Sequence, residues 1–270
     1  MRRVQYAPLG RCLYCLATGV PLTEEHLVPR ALGGRLTLRD AVCEPCRRLT
    51  GRAEQMTLDR EFLVPKTLLA LKRPRARGHG PSRLPAVLLA GDDAPSTFTA
   101  NTFPRSFALP AFERVGLLAS TGHAQIPGHI EFVDCTLNLG TPTRHAVATT
   151  LPLIDPKAYA WSIAKWAYAL AVAERGLDGF DTRPMRDLML GRRDDVFAFV
   201  GTASPRVDVP REWLHDFTVR EDGAWLTVTL ALFASAGMRP YEVVVGRIDE
   251  ALSARPATAT QPPPPSDPRP

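Results

Sequence analysis

No apolar run in this chain approaches the roughly 18 residues that an α-helical membrane span requires, so a membrane partner is not expected. The opening residues (Met1-Arg2-Arg3-Val4-Gln5-Tyr6) lack the apolar core of a secretory leader, and a cytoplasmic, reducing setting is therefore expected. No internal repeat is visible. Cysteine is scarce, with five in 270 residues. Four of the five nevertheless fall in two Cys-x-x-Cys pairs, and that concentration is informative because the residue is otherwise so sparingly used.

The pairs are Cys12-Leu13-Tyr14-Cys15 and Cys43-Glu44-Pro45-Cys46. A Cys-x-x-Cys turn puts two thiolates on one side of a tight loop, and two such turns supply the four sulfurs of a tetrahedral zinc site. Disulfides would need an oxidising compartment, and a redox dithiol needs only one pair. The expectation is a structural Zn²⁺ held by Cys12, Cys15, Cys43 and Cys46. Residues 16–42 separate the pairs, more than a plain zinc ribbon needs, so a functional element is inserted between them. Glu25 and His26 sit in its middle. Cys135 is left over and reads as an ordinary half-buried thiol.

Charge divides the chain. Residues 1–84 hold 16 Lys or Arg against 7 Asp or Glu, a balance of +9, whereas the remainder carries 17 basic and 21 acidic residues, a balance of −4. A cationic segment that also carries the metal motif suits a polyanion, because Lys and Arg neutralise phosphates and release counterions. Nucleic acid is the expected partner, with DNA foremost.

The expected fold class is α+β, beginning with a small zinc-stapled ββα module over residues 1–72 that includes a trailing helix. Thr23 to Pro29 reads as a short strand, Gly33-Gly34 as a turn needing positive φ or close backbone approach, and Arg47 to Leu58 as a helix. Phe62 to Lys72 reads as another helix beginning near Pro65. Residues 73–84 (RPRARGHGPSRL) form a basic Gly/Pro-rich linker, with His79 a solvated loop residue.

Residues 85–253 read as a mixed α+β domain with a mostly antiparallel sheet and no evident chemistry. Short strands are expected over 86–90, 107–118, 130–139 and 146–153, and His123, His129 and His145 show no ligand spacing. The strongest helix is 158–175, started by Asp155-Pro156 and stopped by Gly176, with Trp161, Ala164, Tyr168, Ala171 and Val172 on a core-facing stripe. A short helix over 183–190 and strands over 196–200, 225–233 and 241–248 follow, with Glu221-Asp222-Gly223 as a hairpin turn. Residues 254–270 are Pro-rich and read as a disordered tail.

The order Cys-x-x-Cys, Thr-x-Glu-His-Leu-Val-Pro-x-x-Leu-Gly-Gly, Cys-x-x-Cys and helix, over about residues 10–60, resembles the zinc-knuckle branch of the HNH endonucleases, a treble-clef-like ββα fold. The resemblance implies a metal-dependent endonuclease that hydrolyses nucleic-acid phosphodiesters. His26 would be the general base, since a neutral imidazole takes a proton near neutral pH. Glu25 would help hold a catalytic Mg²⁺ or Mn²⁺, which would polarise the phosphate. Arg30, Arg35, Arg47 and Arg48 would contact phosphates.

The chain departs from that pattern in two places that bear on chemistry. The family sets Asn or His directly after the last knuckle cysteine to complete the catalytic metal site, and here Arg47 stands there. A guanidinium has no lone pair to offer a cation. Nor is there a clear Asn a few residues before Cys43. Asp40, Glu44 and Glu54 are the carboxylates that could rebuild the site. The alternative expectation is a catalytically silent zinc module that binds nucleic acid or a protein partner.

Overall fold

The computed structural model describes residues 4–68, 83–87, 95–99, 106–119, 131–136, 155–203, 214–234 and 238–248. The chain opens with strand β1 (Val4–Tyr6), the Cys12–Cys15 turn, strand β2 (Leu22–His26) and strand β3 (Leu36–Cys43). These form a three-stranded sheet in the order β1-β3-β2, with β1 parallel to β3 and β2 antiparallel to it. Strand β2 stops at His26, three residues before Pro29, which instead precedes a short 3₁₀ turn at Arg30–Leu32.

The β2–β3 pairing is irregular. Thr23 faces Val42 and Glu25 faces Leu38, so β3 carries two extra residues there. Asp40 takes φ +44° within that bulge, where its carbonyl accepts from Gly10 N–H. Both glycines of the connecting loop are required, for different reasons. Gly33 has φ +87°, and a Cβ on Gly34 would lie 2.0 Å from the Val28 carbonyl oxygen.

Helix α1 (Glu44–Arg60) starts at the second knuckle itself, three residues earlier than the sequence expectation, with Cys43 as N-cap and Pro45 in the first turn. Pro belongs there because its missing N–H costs nothing in a first turn. Helix α2 (Leu63–Leu68) follows. Strands β4 (Arg83–Val87) and β5 (Pro95–Thr99) pair antiparallel, as do β6 (Ser106–Ala111) and β7 (Glu131–Thr136). Arg83 and Leu84 thus belong to a strand rather than to the expected linker, and Cys135 sits on β7. Residues 73–82, 146–153 and the Pro-rich 254–270, with His79, His123, His129 and His145, lie outside the described residues.

Helix α3 (Pro156–Arg175) is capped by Asp155, whose carboxylate accepts from the Lys157 and Ala158 N–H groups. Helix α4 (Arg183–Met189) and strands β8 (Val200–Thr202), β9 (His215–Asp222), β10 (Trp225–Leu232) and β11 (Tyr241–Arg247) complete the described chain. The four strands form an antiparallel sheet in the order β8-β11-β10-β9, and Gly223 (φ +57°) turns the β9–β10 hairpin. Strand β9 was not anticipated, and 196–198 is a 3₁₀ turn rather than strand. Among the described residues no helix is long and apolar enough to cross a membrane.

One hydrophobic core runs through the knuckle region and the C-terminal sheet alike. Helix α3 lies at its centre and is buried on nearly every side, more than the single stripe read from its sequence. The Phe62 ring stacks on Tyr159 at 5.2 Å and meets Trp166 and Phe233 at 5.6 and 6.1 Å, joining the end of α1 to α3 and β10. The first knuckle is anchored to the same helices: Tyr168 Oη donates to Leu13 O (2.7 Å) and Arg186 Nε to Tyr14 O (2.9 Å).

Candidate metal centre and cationic cleft

The two knuckles converge. Cys12 and Cys15 come from the loop before β2, Cys43 ends β3, and Cys46 lies in the first turn of α1. Their four sulfurs lie within 4.8 Å of one another, and Cys15 Sγ and Cys43 Sγ are 3.6 Å apart. A tetrahedral Zn²⁺ with bonds of about 2.3 Å would separate its thiolates by roughly 3.8 Å. Three of the four are buried and Cys15 is exposed. Burial first, then the neighbouring Cys12, pushes the Cys46 thiol well above its ordinary pKa, and burial raises Cys43 as well. Thiolates crowded in this way repel one another, and a dication among them removes the repulsion. The residues fit a structural metal ion such as zinc, and four thiolates leave it no open position. Among the described residues this is the only cluster of three or more His, Cys, Asp or Glu side chains close enough to share an ion.

Beside the metal centre, β2, the 29–31 turn, α1 and Lys165 of α3 enclose a cleft of about 570 Å³. Its walls include His26, Arg30, Arg47, Arg48, Arg52 and Lys165, with Glu24, Glu25 and Glu54 as the acidic members. Five cations against three carboxylates leave the lining net positive. His26, the last residue of β2, keeps 24% of its side chain exposed, and its Nε2 lies 3.9 Å from Glu24 Oε1. Of the four arginines expected to meet phosphate, Arg30, Arg47 and Arg48 line the cleft, whereas Arg35 is exposed elsewhere. Arg52, which the sequence reading did not single out, joins them one helical turn beyond Arg48.

Glu25 lies beside His26 in sequence but turns inward and is only 7% exposed. Its Oε1 accepts from Tyr14 Oη at 2.9 Å and from Lys165 Nζ at 2.6 Å. Lys165 Nζ also meets Glu54 Oε1 at 2.8 Å, and Trp166 Nε1 donates to the same oxygen at 2.5 Å. Burial works against the charge on Lys165, but the Glu25 and Glu54 carboxylates outweigh it and hold its pKa above the usual lysine value. Burial, then Glu25, likewise raises the Tyr14 hydroxyl, which stays protonated as a donor.

No protein family, characterised protein or solved structure matches this chain.

The other carboxylates named as substitutes for a catalytic ion's ligands are also engaged or distant. Glu44 bonds Arg47 through Nε (2.6 Å) and Nη2 (2.8 Å) and Arg48 through Nε (2.6 Å). Those bonds hold its carboxyl down at a pKa of about 2. Asp40 is exposed in the β3 bulge and is not part of the cleft wall. A divalent ion at Glu25 therefore does not fit the residues as arranged, because its Oε1 already accepts from a hydroxyl and an ammonium. Lys165, like Arg52, falls in no motif of the sequence. Its one visible signal was a lone cation (Ser162-Ile163-Ala164-Lys165-Trp166-Ala167) in an otherwise apolar helix stretch.

Proposed function

We propose that the cleft binds the phosphodiester backbone of nucleic acid, DNA foremost, on an HNH-like, metal-stapled, treble-clef-like ββα module. The single observation that carries this reading is the convergence of Arg30, Arg47, Arg48 and Arg52 with His26 on one concave surface. Guanidinium groups pair with phosphate oxygens through charge-assisted bonds, and they mark a polyanion site irrespective of base sequence. A metal ion held by the four cysteines would be structural: it would clamp β3 and α1 to the first knuckle and so fix where Arg47 and Arg48 project.

Backbone hydrolysis is the chemistry the same module would add. His26, as a neutral imidazole, would take a proton from water attacking phosphorus, and the arginines would offset charge on the phosphate oxygens. The Glu25–Lys165 pair favours the quieter reading, a binding module without divalent-dependent cleavage.

Both are tested on the full chain. Fluorescence anisotropy with single- and double-stranded DNA and with RNA should show binding that weakens steeply with salt. The double variant Arg47→Ala/Arg52→Ala should lose about tenfold or more in affinity at low salt. Salt-insensitive binding, or none, rejects the polyanion reading. A plasmid-nicking assay comparing the native chain with His26→Ala then separates the two activities: nicking that disappears with the imidazole assigns hydrolysis, and backbone binding without nicking assigns the binding module.

A further inference from the structure

We propose that Lys165 is a built-in cation filling the place that a divalent ion would take beside His26, so that the cleft meets a phosphodiester without a metal ion there. The inference rests on the backbone-binding reading and deepens it: the lysine takes up the charge of Glu25 and Glu54, and the positive partners of a phosphate are then the cleft's arginines rather than a bound ion. Glu25 from β2 and Glu54 from α1 bring one carboxylate oxygen each to a single point, and Nζ of Lys165 occupies that point at 2.6 and 2.8 Å. Two carboxylates from different elements facing one point are the donor layout of a Mg²⁺ or Mn²⁺ site, which wants oxygens at about 2.1 Å.

Each oxygen is also held in its orientation by a second, neutral donor. Tyr14 Oη binds the Glu25 oxygen, and Trp166 Nε1 binds the Glu54 oxygen. The layout is therefore preorganised around a cation, as a metal site would be, and the cation is covalently part of α3. A divalent ion arriving from solvent would have to displace the ammonium of a residue that is 3% exposed, on a helix buried on nearly all sides. The lysine nonetheless remains part of the cleft wall, to which His26 and Arg47 also contribute.

The test measures Mn²⁺ on the zinc-loaded full chain by electron paramagnetic resonance and by thermal shift. The native protein should retain no Mn²⁺ at the cleft and show no rise in Tm. Lys165→Ala leaves two carboxylates facing each other without a counter-cation, so its Tm should fall, Mn²⁺ should bind stoichiometrically, and the added ion should restore part of the lost Tm. Lys165→Ala/Glu54→Gln should lose that binding.

A folded Lys165→Ala protein that gains no Mn²⁺ overturns the proposal. Should that variant not fold, the native chain against Glu25→Gln decides: stoichiometric Mn²⁺ in the native protein that vanishes in Glu25→Gln overturns it, and its absence supports it. Oligonucleotide affinity of the native chain should need no added Mg²⁺ and should fall when the ion is supplied, as with any competing cation. A requirement for Mg²⁺ refutes the built-in cation, whereas no binding in either buffer refutes the cleft's assigned ligand, whatever the Mn²⁺ results show.

Discussion

Gly34 and Gly51 are both glycines of the knuckle region, and the structure assigns them opposite consequences on substitution. A Cβ on Gly34 would sit 2.0 Å from Val28 O and 2.6 Å from Val28 C, backbone atoms that cannot swing aside. Gly34→Ala should cost on the order of 1–3 kcal/mol through forced backbone movement. Gly51, within α1, has nothing within 4 Å of where a Cβ would lie, so Gly51→Ala should stabilise by about 0.5–1 kcal/mol through lost unfolded-state freedom. Urea midpoints of the two variants should move in opposite directions, and a shift of the same sign would contradict the close approach. That the loop needed glycine was legible from Gly33-Gly34. Which glycine answered to φ and which to contact was not, because the distinction depends on where Val28 lies. Glu25 teaches a related lesson. Neighbouring strand residues alternate faces, so one of Glu25 and His26 had to turn toward the interior. The pattern alone treated both as site residues, since the partner that draws Glu25 inward lies 140 positions along the chain at Lys165.

At the scale of elements, α1 carries both the metal centre's edge and the cleft's cationic wall. Its four-cysteine anchor was readable from spacing, as were the extents of α3, α4 and the β9–β10 turn, because caps and Gly/Pro punctuation are local signals. Strand β9 was missed, having a half-exposed, mixed-polarity face that its sequence does not distinguish from a loop. The role of Glu44 was also hidden. At the start of α1 it favours the helix N-terminus and at the same time engages Arg47 and Arg48, two of the guanidinium groups expected to meet phosphate. Glu44→Gln should free both. Nucleic-acid affinity should rise about threefold to tenfold at low salt, with a steeper dependence on salt, while helix stability falls slightly. Anisotropy titrations at two salt concentrations measure this, and an unchanged affinity would show that Arg47 and Arg48 do not reach the ligand.

Across the whole molecule, the cleft is tied to the C-terminal sheet through one imidazole. His215 of β9 donates from Nε2 to the Leu32 carbonyl at 2.7 Å, which leaves Nδ1 to accept the Phe233 N–H at 3.3 Å. Leu32 ends the turn whose Arg30 and Ala31 line the cleft. Burial lowers the pKa of His215 to about 4, against 6.5 for the free side chain, although the Leu32 bond opposes the shift. The folded protein therefore holds a neutral ring where the unfolded chain begins to take up a proton. The stability this contributes is fully present above pH 6.5 and is lost as pH falls from there toward 4, by at most about 3 kcal/mol. Protonation would also turn Nδ1 into a donor facing the Phe233 N–H, so acid should loosen the cleft turn from β9 before it unfolds the sheet. Thiol protonation at the metal centre is acid-sensitive too, but it is common to the native chain and to His215→Gln. Urea midpoints of both proteins between about pH 7 and pH 4.5 isolate the histidine: the native curve should fall more steeply by up to that amount. Parallel curves would mean that the ring does not couple the two halves, and that the cleft is held by the shared core around Phe62 and Tyr159 alone.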